Sequence, residues 1–202
     1  MDFRIMLGNR PAGDGGGKAS AGEQQLAALR DLGISLRGGA SLRDLAPGAP
    51  KGAFDEPPYV YLFSKMGGLD KAGKPWTDDL WLWSGGEETP EEVLANLVAN
   101  FTRLTRQSLG VEEAALSADE ETGQPALVIV RNGEASAVAL STEADLPPQM
   151  ISVLGAIATE SGEGTRLAIT EIVGAGWLFA YRDEEQLAAL METTGLEWRW
   201  AE

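Results

Sequence analysis

The chain of 202 residues contains no histidine and no cysteine. Without histidine it lacks the side chain that most often transfers protons near neutral pH. Without cysteine it has no thiolate nucleophile, no disulfide and no sulfur ligand for zinc. Because the usual Ser-His-Asp and Cys-His catalytic groups are therefore excluded, we expect a protein that is not an enzyme.

Negative charge is what the chain has in excess. It carries 31 Asp and Glu against 16 Lys and Arg, which gives a formal net charge of −15 at pH 7. Such a surface attracts basic partners and repels nucleic acids and anionic lipids. We therefore expect a basic protein partner, and neither nucleic acid nor membrane.

Long hydrophobic runs are missing as well. The first ten residues, MDFRIMLGNR, contain no apolar segment typical of a signal peptide. The longest uncharged, largely apolar stretches, Met150–Thr159 and Ile172–Tyr181, are far shorter than the ~20 residues that span a bilayer. These features predict a cytoplasmic protein, and the 44% hydrophobic content predicts a globular core.

Charge and glycine divide the chain into two parts. Residues 1–51 hold ten glycines and a net charge of +2, whereas residues 52–202 carry a net charge of −17. We interpret residues 1–51 as a Gly-rich, slightly basic N-terminal arm with one short helix, Glu23–Leu32. Within this arm, Phe3–Leu7 is predicted as a short strand and Gly8–Gly22 as a flexible loop. Residues 52–202 form the acidic body.

Strands and helices alternate along the body. Strands are predicted at Tyr59–Ser64, Asp79–Ser84, Leu127–Val130, Glu134–Leu140, Thr165–Ile172, Trp177–Tyr181 and Leu196–Trp200, and helices at Thr89–Leu109, Met150–Ser161 and after the cap Asp183. This ββα–ββα–ββα–β order predicts an α+β fold, with a mainly antiparallel sheet backed by three helices. The same rhythm is consistent with duplicated ββα units.

Local signals support several of these elements. Thr89 and Pro90 are a typical N-cap and first helical residue, and the apolar positions that follow predict one buried stripe. Asn132-Gly133 is the dipeptide preferred in a two-residue hairpin turn. Asp183, with Gln186 three residues later, matches a capping box.

Two motifs that suggest a ligand do not meet its requirements. Gly13–Ser20 resembles a phosphate-binding loop, but Ala12 and Ala19 replace the first glycine and the magnesium-binding Ser or Thr. The acidic segment Asp119–Gly123 lacks the alternating ligand spacing of a calcium loop. We therefore expect no cofactor, no metal and no catalytic residue.

The candidate partner-binding residues lie around the helix that begins near Thr89. They are Trp76, Asp78, Asp79, Glu87, Glu88, Glu91 and Glu92. An acidic strip of this kind steers a cationic partner, and tryptophan is enriched in binding hot spots. The alternative is a solvated surface with helix capping. Trp81 and Trp83 are interpreted as core residues in preference to interface anchors.

Short motifs occur in a fixed order along the body. They are Pro58-Tyr59, Leu62, Gly67-Gly68, Asp78-Asp79-Leu80-Trp81, Asp183-Glu184-Glu185-Gln186-Leu187, Leu190 and Thr194-Gly195-Leu196-Glu197-Trp198. With the amphipathic helix between them, this order resembles small acidic bacterial immunity proteins, which neutralise toxins. The resemblance covers about residues 57–202. It implies inhibition of a cognate toxin by occlusion of its active site, without catalysis.

Two other functions stay open at this point. One is a secretion or assembly chaperone that shields a hydrophobic segment of an effector. The other, ranked last, is a carboxylate-dependent hydrolase, since spatial pairing of acidic residues is not visible in a sequence. The sequence allows a monomer or a homodimer.

Overall fold

The computed structural model describes residues 19–55, 57–119 and 122–201. This part of the chain contains six α-helices and seven strands. The helices are α1 (Ala21–Asp31), α2 (Leu42–Leu45), α3 (Val60–Met66), α4 (Pro90–Leu104), α5 (Leu146–Ser161) and α6 (Glu184–Thr194). The strands are β1 (Leu80–Trp83), β2 (Val111–Ala118), β3 (Pro125–Arg131), β4 (Glu134–Ala139), β5 (Arg166–Ile172), β6 (Gly176–Arg182) and β7 (Arg199–Trp200). The predicted α+β class is confirmed.

The strands form two antiparallel sheets. The first has the order β1-β6-β5-β7, and its register places Trp83 of β1 opposite Trp177 of β6. The second has the order β2-β3-β4. Its β3–β4 hairpin turns at Asn132 and Gly133, which have φ angles of 52° and 74° as a two-residue turn requires. The hairpin predicted at Asn132-Gly133 is therefore confirmed.

Alternation along the first sheet supplies two hydrophobic cores. Leu80, Leu178 and Ala180 face one side, where they pack with apolar residues of α1, α3 and α6. Trp81 and Phe179 face the other side, where they pack with α4 and α5. Since α4 also packs against the second sheet, through the core that contains Leu127 and Ile129, one helical layer contacts both sheets.

Helix α4 begins as the sequence predicts. Thr89 accepts a hydrogen bond from the N–H of Glu92, and the Glu92 carboxylate accepts one from the N–H of Thr89. The helix ends at Leu104, five residues before the predicted end. Arg106 and Gln107 take positive φ angles of 52° and 76°, and the Gln107 N–H bonds the Thr102 carbonyl in a reversing turn.

The predicted strand Tyr59–Ser64 is wrong, because this segment forms the helix α3. Its buried residues, Leu62, Phe63 and Met66, follow a helical spacing that places them in one core. Tyr59 precedes the helix in the left-handed conformation, with φ 66°. A short aromatic and apolar run does not distinguish a strand from a buried helical turn.

Strand β2 has no counterpart in the sequence prediction. Of the residues that it packs against the core, Ala114 is small and Leu116 is the only large one in this half of the strand. The adjacent exposed residues Glu112 and Glu113 interrupt the alternation. Because α3 replaces a strand and β2 adds one, the element order differs from ββα–ββα–ββα–β. The last strand, predicted at Leu196–Trp200, contains only Arg199–Trp200.

The described part of the predicted arm shares a core with the body. Leu26 and Leu29 of α1, together with Ile34, pack in the core that contains α3 and β6. Helix α1 includes Ala21 and Gly22, so the end of the predicted loop Gly8–Gly22 is helical. The predicted strand Phe3–Leu7 and the rest of that loop, up to Lys18, lie outside the described residues. The division at residue 51 stays a statement about composition and charge.

Glycine allows the closest approach between α5 and the end of the chain. A Cβ atom at Gly155 would overlap the carbonyl oxygen of Ala201. Ala201 in turn donates its N–H to Leu167 of β5 at 2.9 Å. This contact fixes α5 over the sheet. Over the described ranges, no helix has both the length and the apolar character that crossing a bilayer requires.

Candidate functional site: an aromatic cleft beside an acidic helix start

An apolar cleft of about 640 Å³ opens where β1, β6 and β7 meet the start of α5. Its lining is mostly apolar, with two tryptophans and three prolines. The residues are Trp83, Pro90, Asp145, Leu146, Pro147, Pro148, Ile151, Ser152, Ile169, Trp177, Arg199 and Ala201. Concave, apolar sites with a few polar groups are the usual form of binding sites.

Two partly exposed tryptophans line the cleft. Trp83 and Trp177 are directly opposite each other on β1 and β6. The Trp83 indole N–H donates a 3.2 Å hydrogen bond to the carboxylate of Glu88. The guanidinium of Arg199 lies 5.3 Å from the centre of the Trp177 ring, within range of a cation–π contact. Both rings are therefore held by polar neighbours while part of each stays accessible.

The opposite wall is the start of α5. Pro147 and Pro148 occupy its first turn, where a missing N–H costs no hydrogen bond. Asp145 is the residue before the helix, but its side chain makes no capping hydrogen bond. Its carboxylate is exposed at the cleft. This wall is thus rigid and apolar, with one negative charge at its edge.

Four of the predicted partner-binding residues lie around the start of α4, whose Pro90 lines this cleft, but none of the four lines the cleft itself. Glu91 lines a separate groove between α4 and β2. Glu87 and Glu91 are exposed, and Glu92 is exposed but engaged in the capping box of α4. Glu88 is partly buried, because it accepts hydrogen bonds from Trp83 and from the amide of Asn96. Of these four, only Glu87 and Glu91 are exposed carboxylates that no ion pair or hydrogen bond holds within the described ranges.

Asp78 and Asp79 belong to a different pocket, of about 510 Å³. Asp78 pairs with Arg37 at 2.6 Å on the surface. Asp79 is 8% exposed and accepts hydrogen bonds from the Ser35 N–H at 3.1 Å and the Thr77 hydroxyl at 3.2 Å. Asp79 is therefore part of the interior and offers little surface to a partner.

Helix α4 separates the two groups of acidic residues. Residues 87–92 surround the start of α4. At the other end, Arg103 in the last turn of α4 donates a 2.6 Å hydrogen bond to the carbonyl of Thr77, the residue before Asp78. A helix of 15 residues is roughly 22 Å long at 1.5 Å per residue. The structure thus does not bring the predicted residues together into one strip.

Trp76 also lies away from the cleft. It is partly buried and packs against the core that contains α1 and α3. Its carbonyl oxygen accepts a 2.8 Å hydrogen bond from the Arg37 N–H. This tryptophan therefore anchors the segment before β1, close to the pocket that holds Asp78.

The pocket around Asp79 gathers arginines. Burial lowers the pKa of Arg103, while the nearby Asp78 carboxylate opposes this shift. Burial also lowers the pKa of Arg182, and Asp79 opposes it. The guanidinium of Arg106 lies 3.4 Å from Asp79 and is 78% exposed. Because a guanidinium stays protonated in proteins, this cluster balances the buried carboxylate with positive charge.

No group of three or more metal-binding side chains occurs among the residues that the structure describes. The part of Gly13–Ser20 that would contact a phosphate lies outside them. The chemistry that the cleft itself supports is recognition, through aromatic faces, the Arg199 guanidinium and the Asp145 carboxylate.

Sequence reasoning missed Trp177, Arg199 and the paired prolines as cleft residues. Trp83, interpreted as core, does pack against the core that contains Trp81, but it is partly exposed and also lines the cleft. Trp81 is 7% exposed and lies against Phe101 and Phe179, as predicted for the core. Trp83 points to the same side of the sheet as Trp81. It is the last residue of β1, however, where α4 covers less of the sheet. The sequence did contain one signal for a cleft residue, because Trp177 begins the predicted strand Trp177–Tyr181.

Three comparisons with known proteins bear on the identity of the chain. No protein-family model, no curated protein and no solved structure matches it.

Proposed function

We propose that this protein is a non-catalytic binding protein that docks a basic protein partner over the Trp83–Trp177 cleft. In its specific form, the proposal is an immunity protein that occludes the active site of a cognate toxin. The observation that carries it is the aromatic cleft itself, with Asp145 at its edge and the acidic start of α4 adjoining it through Pro90.

The aromatic pair supplies the anchor. Partly exposed tryptophans in a concave site bury large areas on binding, and such residues dominate the binding energy of interfaces. Trp83 and Trp177 are held by the Glu88 hydrogen bond and the Arg199 cation–π contact, so little side-chain entropy is lost when a partner covers them.

The acidic margin supplies the steering. Asp145 lies at the edge of the apolar cleft, and Glu87 and Glu91 add negative charge at the adjoining start of α4. The net charge of the chain is −15. Apolar cores with polar rims are the usual anatomy of protein interfaces. A toxin that acts on nucleic acid presents a basic substrate cleft, and an acidic inhibitor satisfies the same charges.

One observation favours the chaperone alternative. The cleft wall formed by Leu146, Pro147, Pro148 and Ile151 is apolar enough to hold a hydrophobic segment of a client. Salt separates the two functions. A complex steered by Glu87 and Glu91 weakens as salt is added, whereas burial of an apolar segment does not depend on screening.

The test begins with capture of the partner from the native host on the immobilised protein. We expect the wild type to retain a basic protein whose toxic activity it abolishes in a stoichiometric mixture. The double variant Glu87→Lys/Glu91→Lys should retain much less of it. The matched control is Glu184→Lys/Glu185→Lys at the exposed start of α6, which packs on the other side of the first sheet.

Three results would reject the proposal. They are a captured protein whose activity is unchanged by binding, equal losses in the two double variants, and a complex that survives when Ser152→Trp fills the cleft. A salt-insensitive complex with an unfolded or apolar client would favour the chaperone.

A further inference from the structure

Strand β4 leaves one edge of the second sheet open. Its register with β3 pairs Glu134 with Arg131, Ser136 with Ile129 and Val138 with Leu127. After a two-residue turn these are the hydrogen-bonded pairs, and the Leu140 N–H continues the series with a 2.8 Å bond to Pro125. The N–H and C=O groups of residues 135, 137 and 139 therefore point away from β3. Among the described residues nothing bonds them.

The other sheet edges are protected in the described structure. Strand β2 carries Glu112, Glu113 and a register shift between Val111 and Glu113. On β1, the Leu82 N–H donates to the carbonyl of Gly67. Strand β7 has only two residues. By contrast, residues 135–139 contain no charge, no proline and no bulge, although these are the devices that prevent strand edges from associating.

We propose that β4 pairs with β4 of a second copy of this chain, antiparallel and about a two-fold axis at Ala137. The two small sheets then form one continuous sheet of six strands. Ala137 lies opposite its own copy, and Ala135 lies opposite Ala139. Each of these three pairs exchanges two main-chain hydrogen bonds, so all six edge groups of each chain are satisfied.

Charge and side-chain size favour a second copy in this register. Glu134 falls opposite Leu140 of the other chain, which keeps the two Glu134 carboxylates at opposite ends of the interface. A register centred on Ala135 would bring these carboxylates within diagonal reach, where like charges repel. The side chains of Ala135, Ala137 and Ala139 share one exposed face and present no steric barrier to pairing.

The first measurement is sedimentation equilibrium of the full chain from low to high micromolar concentration. We expect the mass to rise from 21.4 kDa toward twice that value. Ala137→Lys places two like charges at the axis and should weaken the dimer at least tenfold. The matched control is Ala115→Lys on β2, because Ala115, Val128 and Ala137 lie on the same rung and the same face of the sheet. This control should leave the dimer intact.

A charge-swap experiment tests the symmetry axis itself. An equimolar mixture of the Ala137→Lys and Ala137→Glu proteins should form heterodimers, although each variant alone is monomeric. Thermal melts should show both variants folded, because residue 137 is exposed. If the lysine variant fails to fold, the glutamate variant alone should still be monomeric.

Three results would overturn the proposal. They are a wild type that stays monomeric at all concentrations, a dimer that Ala137→Lys leaves unchanged, and a dimer that Ala115→Lys weakens equally. The last result would indicate packing of the sheet faces in place of pairing at the edge.

Discussion

Arg106 reaches the buried carboxylate of Asp79 from a backbone conformation that normally favours glycine. Its φ angle is 52°, and its guanidinium lies 3.4 Å from Asp79. The residue ends the turn after α4, where a left-handed conformation reverses the chain. Arg106 is thus a charged residue at a strained backbone position. It lies next to Asp79, the one buried carboxylate among the predicted partner-binding residues.

The cost of that conformation is measurable. Arg106→Gly and Arg106→Ala both remove the pair with Asp79, but only glycine adopts a positive φ without strain. We expect the glycine variant to have a free energy of unfolding about 1 kcal/mol higher than the alanine variant. Urea unfolding of the two proteins gives this difference directly. Equal stabilities would show that the turn relaxes to another conformation.

Asp78 and Asp79 should differ sharply when each is changed to alanine. Asp79→Ala leaves the Ser35 N–H and the buried Thr77 hydroxyl without their acceptor, which should cost about 1–3 kcal/mol. Asp78→Ala removes a surface ion pair with Arg37 and should cost less than about 1 kcal/mol. Chemical denaturation measures both. The reverse order would mean that the Asp79 carboxylate is dispensable in the interior.

Phe101 tests the core that contacts both sheets. Its ring is fully buried, with its centre 5.2 Å from that of Phe179 and 5.9 Å from that of Trp81. Phe101→Ala should therefore cost ~3–5 kcal/mol. Val173→Ala is the control, since Val173 is 85% exposed and should change stability by less than ~0.5 kcal/mol. A loss under ~1 kcal/mol for Phe101→Ala would contradict this packing.

Elements of the fold were predictable where residues close together in the sequence determine them. The starts of α4 and α6 were predictable because Thr89, Pro90, Asp183 and Gln186 act within one helical turn of themselves. The turn at Asn132 was predictable for the same reason. Helix α3 was not, because four or five apolar residues in a row satisfy either period and only packing against the sheet decides between them.

The candidate site was less predictable than the fold. Trp177 meets Trp83 only through the pairing of β1 with β6, and both meet the prolines only through the position of α5. Residues that are close in the sequence can also lie far apart in the structure. Asp79 and Glu87 were predicted to belong to one acidic strip. Because α4 runs antiparallel to β1, Asp79 lies near the end of α4 and Glu87 lies near its start. Tertiary pairing, which no local pattern encodes, determined both outcomes.

Glu23 gives a prediction about pH. The Ser20 N–H at 2.8 Å and the Ser20 hydroxyl at 3.0 Å donate to its carboxylate and lower its pKa below the ordinary value of 4.5. Because the folded pKa is the lower one, the stabilisation is complete above the ordinary value and disappears as the pH falls through the lowered value. The difference in unfolding free energy between wild type and Glu23→Gln should therefore vanish at acidic pH.

The control for this prediction removes one of the two donors. In a Ser20→Ala background the hydroxyl bond is lost, but the N–H of residue 20 still donates to Glu23. The pH dependence of the Glu23→Gln effect should therefore be smaller than in the wild-type background without disappearing. Urea titrations across the pH range measure both pairs. A difference that persists at acidic pH in the wild-type background would show that Glu23 acts by packing instead of charge.

Variants at the proposed interface should affect the association rate and the dissociation rate differently. Trp177→Ala removes an anchor from the cleft and should raise the dissociation rate at least about 30-fold, the effect of about 2 kcal/mol. Glu87→Lys/Glu91→Lys changes rim charges and should mainly slow association, with an effect that shrinks as salt rises past ~0.15 M. Surface plasmon resonance with the captured partner measures both rates. The proposal that Glu87 and Glu91 steer the partner electrostatically is wrong if the charge variant alters only the dissociation rate. It is also wrong if the effect of the variant is the same at every salt concentration.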